Sequence, residues 1–596
     1  MGRAMTMRFY MKKMPLPPLR KRQRRPSPPA LRMRIVFLTG LFILFYTIIG
    51  ARLVHFGLHT PPPSGAALIP PSVARPNIVD RNGTVLAMDV PVASIYAEPR
   101  RLVDINEAVE GLTSVFPDLS PAELYRRFDT DRGFVWVKRK IPLAAKNQVW
   151  NLGIPSVGFR EETQRLYPNG DLASHVLGAV NTDNVGIAGI EKWIDGQGLQ
   201  ILRDTGLKFD ANALQPIALS MDLRAQFVLK DELRKAMEKF SAIAAAGLIL
   251  DVTNGEVVAL VSLPDFNPNI PSDALRSDRI NRLSVGTFEM GSTFKALTTA
   301  MALDSGAFNL NSVIDASQPL RLGRSTISDF RGQKRPLTLP EAFVHSSNIA
   351  MGRMALTVGK QAQQNFLRKM GQFDRLTTEL PESAVPILPP RWGDINTVTV
   401  AFGHGMAVTP LQASMAIASL VNGGRLIQPT FIKGSSVEER ILANDVVTAK
   451  TGETLRFLMR LNAEVGSARG ANVAGFYVGG KTGTAEKVVG GRYSKEKVMT
   501  SFMSITPIDN PKYLFLTILD EPKPLPETYG FRTSGWNAVP VTGSIMARVL
   551  PVLGVSPRWS PPERPFPIAL STGAWGAHRF TPAAAERYRA ATQILQ

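Results

Sequence analysis

Apolar residues follow three spacings along this chain, and each spacing predicts a different element. From Ile35 to Ala51 seventeen residues run without a charge, IVFLTGLFILFYTIIGA, and after Arg52 the pattern resumes as LVHFGL. With Arg52 snorkelling to an interface, the stretch reaches roughly 20 residues, enough at about 1.5 Å per residue to cross a bilayer. Residues 78–97, IVDRNGTVLAMDVPVASIYA, alternate around Asn82-Gly83 instead and predict a hairpin. Residues 106–150 read as mostly helical. Within them Ser120 is placed as an N-cap, with Pro121 in the first turn and Glu123 three residues after the cap. The segment 165–195 is glycine-rich and reads as loop.

A second body is expected to begin near Asp222. LRAQFVLKDELRKAMEKF has the spacing of an amphipathic helix, and GLILDVTNGEVVALVSL reads as two strands around a Thr-Asn-Gly turn. Helical segments follow, and then strand-like runs at 476–488, 500–507 and 512–521. That order predicts an α/β (α+β) body with a mainly antiparallel sheet flanked by helices. Proline clusters mark the ends and one join: PLPPLRKRQRRPSPP near the start reads as disordered, TPPPSGAALIPPSVARP at 60–76 as a stiff linker, and the stretch from SPRWSPPERPFP onward as a tail. The expected division is an arm over 1–34, a single transmembrane anchor over 35–55, a linker and N-terminal domain over 56–225, the α/β body over 226–555 and a tail over 556–596. No internal repeat is visible.

Charge changes the picture at one end only. The net charge is +20, but residues 1–34 hold eleven Lys and Arg and no acidic residue, leaving +9 for the other 562 positions. The excess lies directly before the apolar run, which suits a membrane-orienting signal and not a nucleic-acid surface. The positive-inside rule places the N-terminus in the cytoplasm and residues 56–596 outside. A cleaved signal peptide and a buried core helix are the alternatives. The long basic lead and Arg52 at the expected cleavage region favour an uncleaved anchor. The chain has no cysteine, hence no disulfide framework or thiolate chemistry. No HExxH, Asp cluster, Cys/His spacing or P-loop is present, so no metal or other cofactor is expected.

Candidate chemistry sits in three short strings: Ser292-Thr-Phe-Lys295, Ser346-Ser-Asn348 and Lys481-Thr-Gly-Thr484, in that order and 54 then 135 residues apart. Ser292 follows Gly291 and precedes KALTTAMAL, a strong helix former, so it is placed at a helix N-terminus, where free N–H groups favour negative charge. An i, i+3 spacing brings Ser292 and Lys295 onto one face. As a base, Lys295 must lose the proton that a lysine of ordinary pKa, about 10.4, would keep. Desolvation or a second cation would release it, and Lys481 is the candidate cation. Ser346 and Asn348 lie between two expected helices, where short polar residues are more often caps or turns. Two strings have second copies. Ser494-Lys-Glu-Lys497 lies on a polar stretch that reads as a turn, and Lys450-Thr451-Gly452 opens an amphipathic helix with its lysine at the surface. Lys481 instead follows a strand-like run, which puts Thr482 and Thr484 on one face and lets a substrate backbone approach Gly483. His345 is a tempting base, but no GxSxG elbow or triad supports it.

With these three motifs in order, the chain resembles the class B penicillin-binding proteins. RPNIVDRNGTVLA resembles the family's membrane-proximal RGxIxDRNGxxLA signature, with Arg75, Asp80, Arg81 and Gly83 in place and Pro76 where glycine is usual. Arg165, Tyr167, Pro168, Gly170, His175, Gly178, Gly189 and Glu191 match further motifs of the N-terminal pedestal, and FEMGSTFK resembles YEPGSTFK. FGHGMAVTPLQ (Gly403, Gly405, Thr409, Pro410, Gln412) resembles GQGxxxTPLQ. The likeness covers residues 75–550, and no glycosyltransferase domain precedes the pedestal.

The resemblance implies a penicillin-binding transpeptidase domain behind an elongated pedestal of the dimerisation type. SSNIAMG and KTGTAEK look closer to the division type (FtsI-like) than to the elongation type, and that choice stays open. Implied are a Gram-negative inner-membrane location facing the periplasm, peptidoglycan stem peptides ending in D-Ala-D-Ala as substrate, and β-lactams as inhibitors. An FtsW-like glycan polymerase and other divisome proteins are the implied partners. Ser292 would be the nucleophile, Lys295 its base, Ser346 the proton relay and Asn348 the residue orienting substrate and Lys295. Lys481, Thr482 and Thr484 would hold the substrate carboxylate, and the backbone N–H groups of Ser292 and Thr484 would form the oxyanion hole. A serine β-lactamase and a non-catalytic divisome scaffold are the rival readings.

Overall fold

The computed structural model describes residues 29–58, 75–199 and 214–559. Expectations for residues 1–28, for the linker over 60–76 up to residue 74 and for the tail beyond 559 lie outside the described residues. The chain divides into two compact units, Met1–Leu68 and Ile69–Gln596. In the first, Pro29–Leu58 is one helix of 30 residues, which takes in the last residues of the basic arm. Among the described residues no helix is long and apolar enough to cross a membrane. The helix carries Arg32, Arg34 and Arg52 around its uncharged run, and Val36, Phe37, Phe42, Phe45 and Ile49 along that run are exposed.

The second unit opens on the expected hairpin. Ile78–Val79 pairs antiparallel with the strand Val85–Ala97 through a turn at Asn82-Gly83. Gly83 takes φ +88°, which only glycine adopts without strain. Asp80 closes the turn by accepting from the backbone N–H groups of Asn82 and Thr84, both at 2.8 Å. The long strand continues against Val135–Ile141 and Val157–Leu166. Helices Ile105–Val115, Pro121–Phe128 and Leu143–Asn151 cover one side through Leu112, Leu124, Phe128 and Val149. Residues 106–150 are mostly helical as expected, with one strand, Val135–Ile141, that was not expected. Its Val-Trp-Val-Lys-Arg-Lys-Ile has no apolar–polar alternation, and only Val137 and Ile141 are buried. Ser120 does stand at the N-cap position, but its hydroxyl makes no capping bond, and Glu123 pairs with Arg127 one turn on.

Signature residues far apart in sequence converge here. Arg75 Nε donates to Glu191 Oε2 and Arg75 Nη1 to Asp195 Oδ1, both at 2.7 Å, while Arg165 Nε donates to Glu191 Oε1 at 2.7 Å. Arg75, Arg165 and Glu191 are all buried. Burial pushes the Glu191 carboxyl up, but the Arg165 and Arg75 guanidiniums outweigh it and hold the group below its ordinary range. Glu191→Gln removes the carboxylate that joins the two buried guanidiniums, while Arg75 keeps Asp195 and Arg165 keeps Asp89. It is expected to destabilise the fold by about 1–3 kcal/mol, read as a lowered melting temperature. The neighbouring segment, expected as loop, holds short helices at Ser174–Leu177 and Gly189–Ile194.

A five-stranded antiparallel sheet forms the centre of the larger body. Its strands are β1 (Ala244–Asp251), β2 (Val257–Leu263), β3 (Gly479–Val489), β4 (Arg492–Thr506) and β5 (Tyr513–Asp520), in the order β3-β4-β5-β1-β2. Central strands are buried on both faces, and the pleat sorts their side chains by period two. Ala246, Leu248 and Leu250 enter one core, and Ala245 and Ile249 enter the other. Helices α1 (Leu223–Lys239) and α6 (Ala538–Val552) cover the second face. Asp222 caps α1, and a Cβ on Gly247 would lie 2.8 Å from Leu229 of that helix, so glycine lets helix and sheet meet. The first face carries α2 (Lys295–Asp304), α3 (Leu339–Val344), α4 (Asn348–Val358) and α5 (Ala449–Val465). The hairpin turn docks on this body: Asn82 Nδ2 donates to Asp222 Oδ2 at 3.1 Å, and Arg81 pairs with Glu256.

Candidate active site

Strand β3 lies at the edge of the sheet, and the three motifs meet beside it. Gly291–Phe294 forms a single 3-10 turn that runs into α2, which places Ser292 half-buried at the start of the helix. Gly291 takes φ +54° and donates its N–H to the Gly403 carbonyl at 3.1 Å. A Cβ on Gly403, itself at φ +84°, would fall 2.0 Å from the Gly291 oxygen. Gly403→Ala must therefore displace the turn that carries Ser292. A tenfold or greater loss of reactivity toward a serine-directed acylating probe is expected, since about 1 Å of misplacement costs on the order of 100-fold.

Lys295 and Lys481 are each 1% exposed. The Lys295 Nζ donates to the Ser346 carbonyl at 2.5 Å and lies 2.9 Å from Ser346 Oγ. From the other side Lys481 Nζ lies 3.0 Å from the same hydroxyl and 5.8 Å from the Phe343 ring centroid. Burial, then the Lys481 charge, pushes Lys295 well below the ordinary lysine range, with Asp329 opposing. Burial alone brings Lys481 down to about 7. Near neutral pH the pair cannot hold two protons cheaply, and one amine is free to accept. Ser346 Oγ has two lone pairs and one proton, so it can take a hydrogen bond from one amine and give its proton to the other. In this geometry Lys295 reaches Ser346 and not Ser292; catalytic hydrogen bonds are often long in the absence of substrate.

Ser346 holds its place through an unusual backbone. It joins α3 to α4 at φ +55°, a left-handed conformation that disfavours a non-glycine residue by about 1–2 kcal/mol. Ser347 caps α4 by accepting from Ala350 N–H at 3.0 Å, and Asn348 is the first helical residue. Asn348 Nδ2 donates to the Ser328 carbonyl at 3.2 Å and makes no hydrogen bond to Lys295. On β3, Thr482 Oγ1 lies 2.7 Å from Ser467 Oγ, and Thr484 Oγ1 accepts from Ser534 N–H at 3.2 Å. A Cβ on Gly483 would meet Ser501 Oγ at 2.4 Å and the Met290 carbonyl at 2.8 Å. The close approach at Gly483 is thus made by Ser501 of β4 and by the chain next to Ser292.

The second copies stand apart from this cluster. Ser494 and Lys497 lie on the outer end of β4, a strand where a turn was expected, and Ser494 Oγ accepts only from Glu496 and Lys497 N–H groups. Lys450 is exposed in the first turn of α5, which Thr448 caps. His345 ends α3, away from both lysines' hydrogen bonds. The residue missed by sequence reasoning is Asp329. It lies 17 positions upstream of Ser346 on a segment without periodicity, and its hydrogen bonds to Ser347 and Ile349 in the fold reveal it. Among the described residues no group of His, Asp and Glu could hold a metal ion.

Residues 245–546 match the penicillin-binding protein transpeptidase domain, and residues 70–197 match the penicillin-binding protein dimerisation domain. The probable peptidoglycan D,D-transpeptidase FtsI of Caulobacter vibrioides is 37% identical over 492 residues, covering 81% of this chain and 82% of the relative. The peptidoglycan D,D-transpeptidase FtsI of Escherichia coli is 29% identical over 82% of this chain and 85% of its own length. The apo transpeptidase domain of Burkholderia pseudomallei penicillin-binding protein 3 superimposes with a TM-score of 0.51 at 29% identity, covering 57% of this chain and 97% of that domain. An amine–hydroxyl–amine cluster beside a serine-bearing helix start, set behind a dimerisation domain, is therefore carried by a chain that belongs to the class B penicillin-binding proteins.

Proposed function

We propose that this chain is a septal peptidoglycan D,D-transpeptidase that cross-links stem peptides through an acyl-enzyme on Ser292. The observation that carries this reading is Ser346 Oγ, held at 2.9 and 3.0 Å between two buried lysines next to the Ser292 turn. Ser292 Oγ attacks the carbonyl of the penultimate D-alanine, and Lys295, neutral through burial and the Lys481 charge, takes its proton. The scissile amide nitrogen leaves with a proton passed through Ser346, and terminal D-alanine departs. An amine of a neighbouring stem peptide then attacks the ester and restores Ser292. Backbone N–H groups of Ser292 and Thr484 hold the oxyanion, a contribution of about 3–4 kcal/mol per donor.

The outer edge of β3 gives an extended peptide a strand to pair with, and Lys481, Thr482 and Thr484 lie on that strand to receive the terminal carboxylate. Asn348 orients the substrate amide. A β-lactam, which mimics the D-Ala-D-Ala end, acylates Ser292 and stays. Residues 56–225 serve as linker and pedestal and 226–555 as the catalytic domain. The apolar run 35–55 anchors the chain in the inner membrane behind a cytoplasmic arm, with the catalytic domain periplasmic. An FtsW-like polymerase and other divisome proteins are the partners this placement implies.

Full-length protein incubated with a fluorescent penicillin tests the chemistry. A label that persists for minutes supports a transpeptidase, whereas rapid turnover of the penicillin supports a β-lactamase and no label supports a scaffold. Depletion in cells tests the septal assignment: filaments support it, and round cells contradict it in favour of elongation.

A further inference from the structure

Asp329 belongs to none of the three motifs, yet both its carboxylate oxygens bind the turn that carries Ser346. Oδ2 accepts from Ser347 Oγ at 2.6 Å, and Oδ1 accepts from Ile349 N–H at 3.0 Å. The preceding residue, Ser328, takes the Asn348 side chain through its carbonyl. One two-residue segment therefore grips Ser347, Asn348 and Ile349 together. Ser346, immediately before them, sits at φ +55°, a backbone state that persists only where its surroundings impose it.

We propose that Asp329 is a positioning residue for acyl transfer: it fixes the Ser346-Ser347-Asn348 turn between the two lysines and sets a negative charge facing Lys295. The inference rests on the acyl-serine reading above. The charged or titratable groups that face Lys295 come from three places: Lys481 on β3, His404 in the loop that carries Gly403, and Asp329. Burial and Lys481 favour the neutral amine, whereas Asp329 favours the ammonium. Burial also holds His404 down at about 4, so it adds no charge near neutral pH. Asp329 thus restores part of the basicity that burial and Lys481 take from Lys295.

The test is the pH dependence of penicillin acylation in the full-length wild type, Asp329→Asn and Asp329→Ala. In Asp329→Asn the side chain is uncharged but its amide oxygen can still accept from Ile349 N–H, so the turn is kept. The expected result for Asp329→Asn is an unchanged melting temperature and an acid limb moved down by about one pH unit. The plateau rate falls by about threefold, as expected of a weaker base. Asp329→Ala also loosens the turn and slows acylation by about 100-fold at every pH. An Asp329→Asn profile that overlays the wild type overturns the proposal and leaves the residue a helix cap, even if Asp329→Ala fails to fold. Failure of the acyl-serine reading itself would look different: wild type would take no label at any pH.

Discussion

Ser292→Ala loses covalent penicillin label completely and melts within about 1 °C of the wild type. The chemical half of this expectation follows from the site. Ser292 Oγ is carried on the helix start beside edge strand β3, next to the Lys295–Ser346–Lys481 cluster, so removing it takes away the group that forms the ester. The structural half follows from its position. Ser292 is half-buried in the first turn before α2, and trimming a hydroxyl there changes stability by about 0.5 kcal/mol or less. Ser494→Ala is the control, because Ser494 makes only local bonds on an exposed strand end and is expected to label at the wild-type rate. Ser346→Ala falls between them, slowed by about 100-fold to 10,000-fold for loss of a positioned proton relay. Gel fluorescence and a thermal melt on the same preparations measure both halves.

Lys481→Met is expected to separate activity from stability. Acylation falls by about 1,000-fold or more, because Ser346 Oγ loses one of its two amine partners and Lys295 loses the nearby charge that adds to burial in lowering its pKa. Stability rises instead. Burial lowers the Lys481 pKa from 10.5 to about 7, so folding works against its charged form. The unfolded chain holds more protons than the folded one between those values, and stability therefore increases with pH from about 7 to 10.5 and is flat below. At pH 7 the burden is about 4 kcal/mol, which a methionine of similar volume removes. The difference in unfolding free energy between Lys481→Met and wild type should shrink as pH rises toward about 10. A variant that is less stable than wild type at about pH 7 would mean that Lys481 is held by stronger bonds than the two to Ser346 Oγ and the Thr482 carbonyl.

Local pattern made the framework of this site legible, and long-range packing was not. The hairpin at Asn82-Gly83, the α1 helix and the β1–β2 pair each follow from a period or turn signal that acts within ten or so residues. Context separated Ser292 from Ser494 and Lys481 from Lys450, because a helix start and a strand edge have different flanking residues. The strand Val135–Ile141 was lost because its apolar and charged residues come in blocks, Val-Trp-Val then Lys-Arg-Lys, with no period of two to read. Gly483 was read as a place for substrate, whereas its missing Cβ makes room for Met290 and Ser501. The contact with Met290 joins residues nearly 200 positions apart and leaves no periodic trace. Arg75, Arg165 and Glu191 were visible as separate signature residues, but their single buried ion cluster was not. Asp329 left no signal at all, since a carboxylate before a loop is indistinguishable from a solvated one until the turn it holds is seen.

Peptide mass mapping of the penicillin adduct on the full-length wild type tests the central claim most directly. After a short incubation and digestion, the whole adduct mass should sit on the peptide that contains Ser292, and it should disappear with hydroxylamine, which cleaves esters. An adduct on a peptide containing Ser346 or Ser494, or an unmodified Ser292 peptide beside a fully labelled protein, would contradict the account.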